Sequence, residues 1–176
     1  MNTGKLFVGA IVISAAIVGA AVYYLQVYAY YEPVSYTEAD PMQLTTLATL
    51  APEPLLIDGF EGIDAQSSPL RFRACFTTPH SIAMLTETFQ TYPNPTPLNG
   101  PGWFDCYDAK TITEALETGE ATAFLAEKNI HYGVDRVVAV FNDGRAYAWH
   151  QLNNCGETAY DGSPVGEECP PRPAND

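Results

Sequence analysis

No side chain between residues 6 and 31 carries a charge. A bilayer core is crossed by about 20 apolar residues in a helix. The run includes eleven Leu, Ile, Val and Phe residues, each favouring insertion by about 0.3–0.6 kcal/mol, or roughly 3–7 kcal/mol together. Tyr23, Tyr24, Tyr28, Tyr30 and Tyr31 cluster at its far end, where amphipathic rings settle among lipid headgroups. A transmembrane helix is therefore expected over residues 6–27. Lys5 and the α-amino group precede it, and Glu32, Glu38 and Asp40 follow. The positive-inside rule then keeps residues 1–5 in the cytoplasm and sends the rest across. Gly19-Ala20-Ala21 would serve as a signal-peptidase site, the competing reading. The apolar run continues well past it, which favours an anchor. Ala10/Ser14, Ala15/Gly19 and Ala16/Ala20 stand four apart and would let a second helix approach, although Ala and Gly are common in any span.

Beyond the anchor the chain is acidic. It has 176 residues, with 21 Asp and Glu against 8 Lys and Arg, for a net charge of -13. Such a surface lacks the cations that nucleic-acid binding needs, so nucleic acid is not expected as a partner. It suits solubility, or docking to a cationic partner. Hydrophobic residues make up 47%, enough for one packed domain.

Cys75, Cys106, Cys155 and Cys169 all follow the anchor. Four cysteines permit three pairings; sequential pairing, Cys75–Cys106 and Cys155–Cys169, suits their segments. No C-x-x-C pair is present, so the zinc spacing, the thioredoxin-type redox motif and c-type haem attachment are all missing. Structural disulfides of an exported domain are expected, each worth about 3–4 kcal/mol through loop entropy.

Residues 28–54, with Pro33, Pro41, Pro52 and Pro54, read as a juxtamembrane linker in which residues 44–50 form a short helix. The domain proper is expected over residues 55–176. Residues 71–77 alternate as a strand. Thr78-Pro79 reads as a helix start, with Ile82, Leu85 and Phe89 at helical spacing and an end near Thr91. Residues 94–106 are irregular. A second helix is expected over residues 109–118, with a Thr111/Glu114 capping box and Gly119 as its stop. Residues 121–126 read as a strand ending in a turn at 127–129. Residues 134–141 form the strongest strand, apolar without interruption from Val137 to Phe141, as in a strand covered on both faces. Asn142-Asp143-Gly144 turns the chain into a partner strand over residues 145–152, and a stiff tail, 170–173, closes it. The expected class is α+β: an N-terminal transmembrane helix, then a small antiparallel sheet with two helices packed on one face, stabilised by disulfides.

Candidate chemistry is sparse. His150, in the last strand, would be a general base beside Asp135 or Glu127, or a packed core histidine. His80, His131 and His150 lack metal-ligand spacing, and no metal or cofactor is expected. G-x-S-x-G, the P-loop and G-x-G-x-x-G are all missing. Asp58, Glu61 and Asp64 do not have EF-hand spacing. Arg145, Tyr147 and Trp149 are residue types enriched at binding hot spots. They would form an exposed strip for a protein partner unless residues 44–60 fold across them.

Residues 71–78 (Arg-Phe-Arg-Ala-Cys-Phe-Thr-Thr), 101–106 (Pro-Gly-Trp-Phe-Asp-Cys), 132–154 and the 166–173 tail resemble a family of uncharacterised alphaproteobacterial single-span proteins filed as a domain of unknown function. The resemblance covers nearly the whole chain and brings no catalytic residue. It implies a Gram-negative inner membrane with the domain in the periplasm. The expected function is a non-catalytic interaction or assembly module for another envelope protein. The alternatives are a hydrolase-like enzyme centred on His150 and a small-ligand sensor with a pocket between sheet and helices.

Overall fold

The computed structural model describes residues 3–37, 41–156, 159–163 and 169. Glu38 and Asp40, parts of the Cys155–Cys169 loop and the 170–173 tail lie outside them. The apolar run forms helix α1, Thr3–Tyr24, which continues as a π-helical turn, Leu25–Ala29. Thr3–Ala29, with a mean hydropathy of 2.4 in its most apolar stretch, is long and apolar enough to cross a membrane. None of its side chains is buried in the protein.

Eight strands follow: β1 (Glu32–Val34), β2 (Gln43–Thr45), β3 (Pro52–Pro54), β4 (Asp58–Asp64), β5 (Arg73–Thr77), β6 (Ala121–His131), β7 (Val134–Phe141) and β8 (Arg145–Leu152). Helices α2 (Ile82–Thr88) and α3 (Ala109–Thr118) lie between β5 and β6. Six strands make one antiparallel sheet in the order β1-β4-β5-β8-β7-β6, and β2 and β3 form a separate hairpin. The fold class is α+β, as the pattern of elements predicts.

Period-two alternation in β7 and β8 makes both sheet faces apolar. Phe76, Phe124, Val138, Val140 and Ala148 point into one core with Leu85 of α2. Cys75, Ala123, Val137, Ala139 and Trp149 point into the other, with Ile112 and Ala115 of α3. The two helices thus cover opposite faces rather than one. A sheet apolar on both sides needs a cover on each, and α2 buries only Leu85.

The rest of the α2-side cover comes from the segment expected to be a linker. Met42, Leu44 and Leu55 are buried in that core, contributing roughly 5–9 kcal/mol between them at about 1.5–3 kcal/mol per side chain. No helix forms over residues 44–50; β2 and a turn take that stretch. β2 lies beside β6 through the segment after α2: the N–H of Gln90 donates to the Thr45 carbonyl at 2.8 Å, and that of Leu125 to the Gln90 carbonyl at 2.9 Å. That pairing ends α2 at Thr88, earlier than Thr91.

The helix starts differ from expectation too. Thr78 donates its hydroxyl to the Leu56 carbonyl and its N–H to the Gly144 carbonyl, so Ser81 caps α2 instead, accepting from the Met84 N–H at 3.3 Å. Helix α3 has the expected bounds, and Gly119 ends it at φ 77°. Its N-cap is Asp108, which accepts from the Lys110 N–H at 3.0 Å and the Thr111 hydroxyl at 2.7 Å. Strand β6 runs past the expected turn to His131. Register shifts absorb the polar residues, and Asn129 at φ 52° donates its N–H to Asp135 at 2.9 Å.

Both sequential disulfides are formed, Cys75–Cys106 and Cys155–Cys169.

Candidate functional site

The three residues expected to make an exposed strip on β8 part company. Trp149 has 0% of its surface exposed and donates its indole N–H to Oε1 of Gln151 at 3.0 Å. Tyr147 is half-buried, edge-on to Phe141 and Tyr107. Arg145 is exposed and pairs with Asp143 at 2.7 Å. No continuous strip is presented. The cover over Trp149 is α3 with Phe104 and Tyr107, not residues 44–60, which pack on the opposite face.

His150 is buried, with 1% of its surface exposed. Its Nε2 accepts from Nε–H of Arg136 at 3.0 Å, and its Nδ1 is 2.7 Å from the Pro69 carbonyl oxygen. Phe72 stacks on its ring at 4.7 Å, and the Arg136 guanidinium lies 4.4 Å from the centre of the Phe72 ring. Burial, then the positive charge of Arg136, lowers the imidazole pKa to about 3. Of the two acids suggested for it, Asp135 is engaged elsewhere. Asp135 accepts from the Tyr92 hydroxyl, the Asn129 N–H and the Asn153 side-chain amide, and Glu127 stands across from Arg136 in the β6–β7 register. His131 comes within 6.1 Å of His150, ring to ring; His80 sits in the turn before α2. Among the described residues, no group of three or more His, Cys, Asp or Glu is placed to hold a metal.

Two clefts open at the end of the sheet where the N-terminal apolar helix joins it. The first, about 610 Å³, is lined by Glu32, Val34, Asp64, Pro69, His131 and Tyr132, among others. Glu32 and Asp64 are direct cross-strand partners on β1 and β4, an arrangement that sets like charges against each other. Neither makes an ion pair among the described residues. Asp64 accepts from the Ala65 N–H at 2.7 Å. Its carboxyl is pushed above the usual range by burial, against the lowering pull of that bond and of Arg136, His131 and Arg73. The second cleft, about 660 Å³, includes Tyr92, Lys128, Asp135, Gln151 and Asn153 in its lining. Its floor is internally satisfied: the Asn153 amide donates to Asp135 at 2.7 Å, and the Thr96 N–H to Gln151 at 2.8 Å.

Sequence reasoning missed both clefts. Asp64 was visible only as part of an acidic cluster of the wrong spacing, and Glu32 only as an anchor flank. The pairing that joins them is non-local and leaves no sequence signal.

The N-terminal apolar helix itself touches the domain. The Trp103 indole N–H donates to the Val27 carbonyl at 2.7 Å, satisfying an acceptor that the helix end leaves open. The ring stacks on Tyr28 at 6.2 Å and meets Tyr31 edge-on at 5.9 Å. Behind it, Arg73 is buried yet donates to the carbonyls of Leu70, Phe72, Leu98 and Asn99, pinning the loop that carries Trp103.

A family model described as "Family of unknown function (DUF6446)" matches residues 42–170. No curated protein and no solved structure matches the chain.

Proposed function

The chain belongs to this family of unknown function, and from that premise we propose that it is a single-span inner-membrane protein of alphaproteobacterial cells whose periplasmic domain is a non-catalytic docking module for a basic segment of another envelope protein. The charge-free helix, the basic flank before it, the acids after it and the two disulfides support the address. The observation that carries the docking reading is the first cleft. Glu32 and Asp64 face each other there without an ion pair among the described residues, between apolar walls formed by Pro33, Val34 and Pro69. An Arg or Lys side chain has the matching form, an aliphatic stem ending in a cation. Both ring nitrogens of His150 are engaged, which favours this reading over a hydrolase centred on that residue.

The test is a photo-crosslinking residue placed at Gln66, exposed in the cleft, with a control at Thr111 on α3. Crosslinks to one envelope protein from Gln66, absent from Thr111 and lost in Glu32→Gln/Asp64→Asn, are expected. Crosslinks that survive the double substitution would refute the cleft as the docking site. Topology is read separately, by a reporter after residue 176 and by the redox state of the four cysteines.

The size of the second cleft, within the roughly 300–1,000 Å³ of small-molecule sites, favours a ligand-sensing role as the second reading. Thermal stabilisation by a small solute, lost in Tyr92→Ala, is its test.

A further inference from the structure

The Trp103 indole is hydrogen-bonded to the end of the anchor, and this fixes its depth. Twenty helical residues from Leu6 reach Leu25 and span about 30 Å, the thickness of a bilayer core. Val27 and Tyr28, which Trp103 touches, come within one turn beyond that point, at the level of the headgroups. Trp and Tyr favour that level because one part of each ring system is apolar and another hydrogen-bonds.

The loop around Trp103 has the composition for the same place. No charged residue occurs between Glu87 and Asp105 in a chain of net charge -13. A domain this acidic is repelled by an anionic leaflet, and this stretch is where it can approach one. The loop is also held in shape: Arg73 donates to the Leu98 and Asn99 carbonyls, the Phe104 N–H donates to the Pro101 carbonyl, and the Cys75–Cys106 bridge closes just behind. Arg71, its guanidinium 5.5 Å from the centre of the Tyr31 ring, packs behind that ring.

We propose that the uncharged loop 93–104, led by Trp103, is a second membrane contact that seats the domain on the phospholipid headgroup layer where the anchor emerges. The inference rests on the single-span reading. It adds that the domain lies against the bilayer at a fixed angle, with its cleft beside the anchor, rather than floating on a tether.

The chain has two tryptophans, and Trp149 is enclosed in the core. Full-length protein is placed in phosphatidylcholine nanodiscs carrying nitroxide quenchers either near the headgroup or at the chain end. With Trp149→Phe, the remaining Trp103 emission should be strongly lost to the shallow quencher and little to the deep one. Should that variant not fold, wild type minus Trp103→Phe gives the same signal; Trp103→Phe itself should show no quenching. Trp103 emission indifferent to both quenchers, or quenched more by the deep one, overturns the seat. Alkaline carbonate extraction of native membranes separates the two ideas. Release of the chain removes the anchor, whereas retention with an unquenched Trp103 removes only the seat.

Discussion

Arg136 donates its Nε–H to Nε2 of His150 at 3.0 Å, so the ring proton resides on Nδ1 and is donated to the Pro69 carbonyl at 2.7 Å. A neutral imidazole completes this arrangement; a protonated one would face the guanidinium with no acceptor. Burial and Arg136 hold the folded pKa near 3, against 6.5 when free. A depressed pKa gives stability that is full above pH 6.5 and lost as pH falls toward 3. Below 6.5 the unfolded chain takes a proton that the folded one refuses, so stability should drop by about 1.4 kcal/mol per pH unit from this residue. Urea midpoints between pH 7 and pH 4 should fall more steeply for wild type than for His150→Gln, and parallel curves would contradict the assignment.

The burial of Trp149 separates it from its neighbours on β8. Trp149→Ala should destabilise the domain by about 3–5 kcal/mol, the usual cost of emptying a core aromatic site. Arg145→Ala, which breaks an exposed pair with Asp143, should change stability by no more than about 0.5–1 kcal/mol. Chemical denaturation of the two variants side by side checks the order. Similar small losses would return Trp149 to the surface.

Much of the domain's second half was legible because its signals are local. The apolar run from Val137 to Phe141, the Asn142-Asp143-Gly144 turn and the alternation in β8 each declare themselves within a few residues. Helix α3 ends at a glycine, and the disulfides pair in sequence. What escaped depends on distant partners. β1, β2 and β3 have three residues each, too few for a period, and their prolines read as linker. Whether Trp149 was covered, and by what, turned on loop 103–107 crossing the sheet, held by Arg73 and the Cys75–Cys106 bridge. The first cleft escaped for the same reason: β1 and β4 meet only in three dimensions.

The correction to the linker has a direct consequence. A soluble chain beginning at residue 41 retains Met42, Leu44 and Leu55 in the core, and should melt cooperatively. A chain beginning at residue 55 loses Met42 and Leu44, about 3–6 kcal/mol of burial at the same per-residue value, and leaves a face of the sheet wet. With domains typically stable by only about 5–15 kcal/mol, the shorter chain should show broad or no thermal unfolding and bind a hydrophobic dye. Equal melting of the two would mean that residues 41–54 are a tether after all.

Gly133 turns the chain between β6 and β7 at φ +78°, where a β-carbon would come within 2.5 Å of the Gly156 Cα and 2.6 Å of its nitrogen. The two glycines meet because the Asn153 N–H donates to the Gly133 carbonyl at 3.0 Å, drawing the start of the Cys155–Cys169 loop onto the hairpin. Gly133→Ala therefore meets two costs: a left-handed conformation unfavourable for alanine and backbone atoms that have no room to retreat. Together they should cost at least about 2 kcal/mol. Gly102→Ala, with nothing within 4 Å of the new carbon, is the matched control and should be near neutral. Because Cys155 lies beside the clash, Gly133→Ala should also make the Cys155–Cys169 bridge easier to reduce than in wild type, while Cys75–Cys106 is unaffected. Thiol trapping with mass mapping at graded dithiothreitol resolves the two bridges. A bridge of unchanged sensitivity would show that the loop is not held through Gly133.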